Sequence, residues 1–364
     1  MLVNKVTISD ITGIAPKAGD LGLELEVEAK NKLPVINTAS WTSAEDHSLR
    51  NGLEYVSNGP FNVVGKRLKI KSLIEKIDKP EYGLIRDSHR TSFHVHKNVL
   101  LFDVVETWTG INAFWLVENL LLELCHPERK GNLFCLRIKD AEGIIEDAVN
   151  DCKSKNPFFS FNQEQHKYGA LNLGVVTRYG SIEVRPKHGT IDVEELDEWS
   201  TAVNDVCENA RKNFTNPANL LDIYFRRGWR HIVTVLFSDP VRTKLLAIRN
   251  GGELVEENAL RILSVAYSQS WDQYRLKIAK LYTDQKKEEK VKLNNAGERI
   301  RRAMAQLAEQ PVQIQPVARQ PLRRRAVNQD LNNVNMWANR PWGGVLAGDR
   351  IEVAMPQDPR VIEE

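Results

Sequence analysis

The chain has 364 residues, 42% of them hydrophobic and 27% charged, with a formal net charge of +2. That is enough apolar material for one large domain with an appendage, and the near-balanced charge gives no pointer to a polyanionic partner. The four cysteines, Cys125, Cys135, Cys152 and Cys207, form no C-x-x-C pair, so neither a disulfide frame nor a cysteine zinc site organises the fold.

Met1-Leu-Val-Asn-Lys-Val6 lacks the apolar core of a secretory signal. The most apolar region, Val99 to Cys125, is broken by Asp103, Glu106, Glu118 and Glu123, which is wrong for a membrane span. A soluble protein of the reducing cytoplasm is expected. Strand-like segments dominate to about residue 100, and Val117 to Leu124 reads as the end of a buried helix. A second helix is expected over Ala141 to Lys153, where Ile144, Ile145, Ala148 and Val149 make an apolar stripe. Residues 165 to 186 return to strand, with Tyr179-Gly180 as the turn into Ile182–Arg185. Helices follow over Val193 to Asn213 and Pro217 to Tyr224. The sum is an α+β domain, residues 1–255, in which helices cover one face of a mainly antiparallel sheet and the other face forms an open cleft. Residues 256–310 read as a helical extension with almost no glycine or proline, and 311–364 as a flexible tail.

Four segments carry the chemistry: Gly22-Leu-Glu24-Leu-Glu26, Asp46 to Glu54, Ser92-Phe-His94-Val-His96 and Ile182-Glu183-Val-Arg185. A strand turns alternate side chains to opposite faces, so Glu24, Glu26 and Glu28 share one face, Ser92, His94 and His96 another, and Glu183 points with Arg185. Each polar set is backed by an apolar one. Stacked carboxylates resist ionising together unless a cation lies between them. Magnesium supplies that charge through oxygen ligands, and imidazole beside carboxylates suits manganese, or magnesium with one nitrogen ligand. Arg185, next to a metal carboxylate, is placed to grip a phosphate bidentately.

In order and residue type, from Gly22 to about Asp192, the chain resembles the amidoligases, a family often encoded by phages that shares the catalytic fold of glutamine synthetase and the glutamate–cysteine ligases. The likeness rests on the segments above together with Gly52-Leu-Glu54-Tyr-Val-Ser57, Leu171-Asn-Leu173 and Gly189-Thr190. It implies a glutamine synthetase-like sheet, ATP with Mg2+ or Mn2+, metal ligation by Glu24, Glu26, Asp46, Glu54, His94 and Glu183, and nucleotide phosphate contacts from His96 and Arg185. Ser181 stands where glutamine synthetases carry a further arginine, so Arg178 or Lys187 is expected to supply any second phosphate contact. Asp46 also reads as a simple turn cap before Ser48. Lys97 replaces the apolar residue usual after the second histidine.

The function implied is ATP-dependent joining of a small-molecule or peptide carboxylate to an amine through an acyl phosphate, in the host cytoplasm if phage-encoded. A metal-dependent hydrolase using the same acids and a non-catalytic structural or interaction protein of a phage particle are the alternatives. Past Leu281, Lys286, Lys287, Lys290, Lys292, Arg299, Arg301 and Arg302 accumulate, which invites a nucleic-acid reading. Glu288, Glu289 and Glu298 interleave with them, and a solvated helix with internal ion pairs is the better reading. Trp337 and Trp342 in the tail read as a docking segment for a protein partner or as residues that fold back on the domain.

Overall fold

The structure, a computed structural model, describes residues 5–308 except position 87. Seven strands form one antiparallel sheet: β1 (Leu21–Ala29), β2 (Trp41–Ala44), β3 (Gly52–Ser57), β4 (Leu84–Ile85), β5 (Ser92–Asn98), β6 (Leu171–Asn172) and β7 (Ser181–His188). Their order is β2-β3-β1-β5-β7-β6, with β4 paired to the end of β1. Leu23, Leu25 and Val27 on β1, Phe93 and Val95 on β5, and Ile182 and Val184 on β7 are buried in one hydrophobic core. The alternation of leucine with glutamate in β1 thus sets which face meets the helices.

The helices are α1 (Ile8–Thr12), α2 (Lys66–Ile77), α3 (Val104–Leu121), α4 (Glu142–Lys153), α5 (Val176–Tyr179), α6 (Val193–Asn213), α7 (Pro217–Arg227), α8 (Trp229–Leu236), α9 (Val241–Leu246), α10 (Gly251–Ala266) and α11 (Trp271–Ala308). Helix α3 is apolar all round and buried on every side, the pattern of a central helix. Asp103 caps it, accepting from the amides of Val105 and Glu106, while Glu106 accepts from the Asp103 amide. Helix α6 packs against α3, α2 and β5 and so joins the helix layer to the sheet.

Three buried lysines reach α6 from different elements. Lys66 of α2 donates to Asp197 at 2.5 Å, Lys97 of β5 to Glu208 at 2.9 Å and to Asn204 at 3.0 Å, and Lys187 of β7 to Glu195 at 2.5 Å. A buried ammonium is tolerable only with such a partner. Lys97, the residue after His96, therefore faces the helices.

Lys187 sits there because β7 is bulged. Val95 pairs with Val184, but Phe93 pairs with Lys187, so Arg185 and Pro186 together stand opposite His94. One extra residue reverses the parity beyond it. Lys187 joins Phe93 on the helix side, whereas unbroken alternation would have left it beside Glu183 and Arg185.

Other differences from the sequence reading are local. Helix α2 falls where strands were expected, although Ile70, Leu73, Ile74 and Ile77 are buried at helical spacing. Residues 165–180 hold a 3-10 turn at Glu164–Tyr168, the two-residue β6 and α5, and only then a strand. Gly180 ends α5 in the left-handed region at φ 70°, and a Cβ there would meet the Leu100 side chain at 2.2 Å. The single long helix expected from Glu256 is two: α10 packs on α3, α4, α7 and α8, residues 267–270 break the run, and α11 follows. Residues 255 and 256 are both interior to α10. Trp271, Tyr274, Ile278, Ala279 and Tyr282 anchor the first turns of α11, after which Lys286 meets Asp10 at 2.5 Å, Lys287 meets Asp284 and Arg302 meets Glu298. The tail expected over 311–364, including Trp337 and Trp342, lies outside the described residues. Among the described residues no helix is long and apolar enough to cross a membrane.

Candidate metal centre

Strand register assembles the acidic face. Glu26 pairs with Glu54 across β1 and β3, Glu24 with His94 across β1 and β5, and His96 with Glu183 across β5 and β7. The pairs form one diagonal row across four strands. Around Glu24 the row closes into two groups of close ligand atoms, Glu24–Glu54–His94 and Glu24–His96–Glu183, and Glu24 belongs to both.

His94 Nδ1 lies 3.4 Å from Glu24, 3.5 Å from Glu183 and 3.9 Å from Glu26. Its Nε2 is 2.7 Å from Ser92 Oγ, and Ser92 Oγ is 2.5 Å from Glu26 Oε2. When Glu26 is ionised the one serine proton goes to it, and Ser92 then accepts from His94 Nε2–H. His94 Nδ1 then faces carboxylate oxygens, an arrangement that a shared proton or a cation between them satisfies. Glu24 Oε1 is buried and accepts no hydrogen bond, although His96 Nε2 stands 3.1 Å away. Ligands held at about 2.1 Å around an octahedral ion lie about 3 Å apart. The oxygen-rich set with two imidazoles thus fits magnesium or manganese.

The charge balance agrees. Burial, then the neighbouring Glu183, pushes the Glu24 carboxyl well above the usual range, and burial with Glu24, Glu26 and Asp46 does the same to Glu54. Glu26 is raised to about 7, chiefly by burial. Burial lowers both histidines, His94 further because Arg185 and Arg129 are near, which keeps the imidazoles neutral. Glu183 alone of the four glutamates is held low: burial acts to raise it, but Arg185, His96 and the Asn172 amide outweigh that. Asn172 Nδ2 donates to Glu183 Oε2 at 2.6 Å, and the Arg185 guanidinium donates to Oε1.

Glu28 shares the strand face of Glu24 and Glu26 but has another use. It accepts from the Arg50 amide at 2.7 Å and from Ser88 Oγ at 2.6 Å, which together hold its carboxyl low against the effect of burial. Protein donors satisfy it where none satisfies Glu24 Oε1. It pins two loops to the sheet.

Asp46 lies in the turn after β2. Its Oδ1 accepts from the Ser48 amide at 2.7 Å, so it caps the turn, yet it stays near enough to raise Glu26 and Glu54. It is in neither ligand group. Arg185 lies at the cluster, while exposed Arg178 is on α5 and Lys187 is on the other face of the sheet. Lys187, expected with Arg178 as a source of a second phosphate contact, is thus turned away from the acids. A second positive charge at this face comes from Arg129, a buried residue of the 3-10 turn Pro127–Arg129 that acts on both Glu26 and His94. Ser92 and Asn172 are further site residues, the first signalled by its parity with His94.

The acidic face is not the open cleft expected. Glu24, Glu26, Glu54, His94, His96 and Glu183 are between 1 and 7% exposed. Segments distant in sequence approach its strands: Arg185 Nε reaches Phe134 O at 3.4 Å, and Gly189 passes so close to β1 that a Cβ would meet the main-chain Glu26 O at 2.5 Å. A cavity of about 340 Å³ lies instead on the helix side, between Lys187, Glu195 and Trp199. Comparison with protein-family models and with curated proteins finds no match to this chain.

Proposed function

We propose that the protein is an ATP-dependent carboxylate–amine ligase of the amidoligase kind, with a glutamine synthetase-like sheet. The observation that carries this reading is the position of Glu24 in two ligand groups at once, with the Arg185 guanidinium on Glu183 beside them. Glu24, Glu54, His94, His96 and Glu183 would hold divalent cations, which when bound neutralise the polyphosphate of ATP. Arg185, one-fifth exposed and held by Glu183, would meet the transferred phosphoryl group. The substrate carboxylate oxygen attacks the terminal phosphorus and ADP leaves. The amine then attacks the acyl carbon, phosphate departs with the C–O electron pair, and the amine proton is released.

The test supplies ATP, Mg2+ or Mn2+, hydroxylamine and a panel of carboxylates. A hydroxamate formed together with ADP, and lost in Glu24→Gln, is the expected result. Release of product without ATP would replace the ligase with a metal-dependent hydrolase, and no metal-dependent turnover of any substrate would leave a binding protein.

A further inference from the structure

We infer that Arg129 is a positioning residue for Arg185, acting by clamping the bulge of β7; this rests on the proposed role of Arg185. The bulge has a geometric cost. Two residues, Arg185 and Pro186, oppose the single residue His94, so their carbonyls lose regular ladder partners in the middle of a sheet, between β5 and β6. Arg129 meets both: Nε donates to Pro186 O at 3.0 Å and Nη2 donates to Arg185 O at 2.9 Å. The Arg185 amide is taken by Ala170 O at 2.9 Å, and Pro186 has no amide to place. Every main-chain polar group of the two bulge residues thereby has a partner or does not exist.

The clamp has two consequences for the site. It fixes the backbone from which the Arg185 side chain leaves, one residue beyond the last regular pair at Val184, and so sets where the guanidinium meets Glu183. It also stabilises the parity reversal that sends Lys187 to Glu195 on α6, leaving the acidic face without a competing ammonium. The planar fork of arginine matches two adjacent carbonyls, which an ammonium on a flexible stem reproduces only in part. Arg129 spans these carbonyls from the segment after α3, so the turn at Pro127–Arg129 is tied to the strand that carries Glu183 and Arg185.

The experiment compares wild type, Arg129→Lys, Arg129→Gln and Arg185→Lys in the full chain. It measures ATP turnover with Mg2+, KM for ATP, thermal melts with and without Mn2+, and amide hydrogen exchange across residues 181–188. Arg129→Gln is expected to speed exchange in that segment, to lower kcat by roughly 30-fold or more, with KM for ATP changed under about threefold, and to keep or enlarge the Mn2+ shift of the melt, because no metal ligand is removed and one positive charge beside the acids is lost. Arg129→Lys should recover part of both exchange protection and kcat. Combining Arg129→Gln with Arg185→Lys should cost little more than Arg185→Lys alone, the non-additivity of residues acting through one another. Unchanged kcat in folded Arg129→Gln, or unchanged exchange over 181–188, overturns the inference. A wild type without ATP turnover defeats the ligase reading instead, and the exchange data alone then decide whether Arg129 holds the bulge.

Discussion

Glu26→Gln should make the metal-free protein more stable at pH 8, although it removes a buried hydrogen-bonded charge. Glu26 is 6% exposed, and its carboxyl is raised from 4.5 to about 7, mainly by burial. Between those values the folded state holds a proton that the unfolded chain has released. Metal-free stability attributable to this group is therefore full below pH 4.5, falls as pH rises through about 7, and levels off above. At about 1.4 kcal/mol per pKa unit, the loss at pH 8 is on the order of 3 kcal/mol. Glutamine keeps an acceptor for Ser92 and carries no charge, so the variant should gain up to that amount at pH 8 and almost nothing near pH 4.5. In melting temperature this is roughly 6 to 12 °C, at about 2 to 4 °C per kcal/mol for a protein of this size. Melts at pH 4.5, 6 and 8, in EDTA and in MnCl2, provide the readout. Wild type should recover stability with Mn2+ at pH 8, by about 2.7 kcal/mol at 100 times Kd, and the variant should recover less. A variant no more stable than wild type at pH 8 in EDTA, or one with the same Mn2+ increment, refutes the charge argument.

Arg185→Lys should lower ligase turnover roughly 100-fold while the protein stays folded, because an ammonium cannot hold Glu183 and a phosphoryl group in one plane; near-full activity would make Arg185 an ion-pair partner only. Gly189→Ala puts a Cβ 2.5 Å from Glu26 O and 2.7 Å from Thr91 Cβ, so it should destabilise by about 1–3 kcal/mol and weaken the Mn2+ shift by displacing β1, as melts will show. Glu118 is buried on α3, with Oε2 accepting from the Ile138 amide at 3.0 Å and Oε1 without a partner; burial lifts it to about 8. Its stabilising, protonated form is complete below pH 4.5 and is lost as pH rises through 8, so Glu118→Gln should gain stability over wild type progressively across that range. Parallel melting curves at pH 5 and pH 9 would refute that.

The alternation in β1, β5 and β7 was legible because the sheet has one apolar face, so Glu24 with Glu26, His94 with His96, and Glu183 with Arg185 could be placed together without coordinates. Their register could not, since it depends on turns such as Asp46–Leu49 and on the bulge. Pro186 was a readable signal of that bulge: proline inside a central strand is tolerated only where no ladder hydrogen bond is needed. Reading it would have moved Lys187 to the helix side. Arg129 left no comparable trace, because a buried arginine in a short turn looks like any surface arginine until its carbonyl partners are known. Helix α2 was missed despite a clear period of Ile70, Leu73, Ile74 and Ile77, as its many lysines and flanking strands obscured the stripe.

The two sides of the sheet handle buried charge in opposite ways. Toward the helices, Lys66, Lys97 and Lys187 each meet a carboxylate of α6, and the chain balances those charges by itself. Toward the acidic face, Glu24, Glu26, Glu54 and Glu183 lie near the guanidiniums of Arg185 and Arg129, and the three raised carboxyls are those with no guanidinium hydrogen bond among the described residues. Fully ionised, that set carries two negative charges more than the two arginines offset, in a place where an uncompensated charge costs several kcal/mol. Protons can fill the deficit, and so can one divalent cation. In the metal-free protein those protons belong on the three raised carboxyls and not on the imidazoles, because burial and Arg185, joined by Arg129 at His94, lower both histidines.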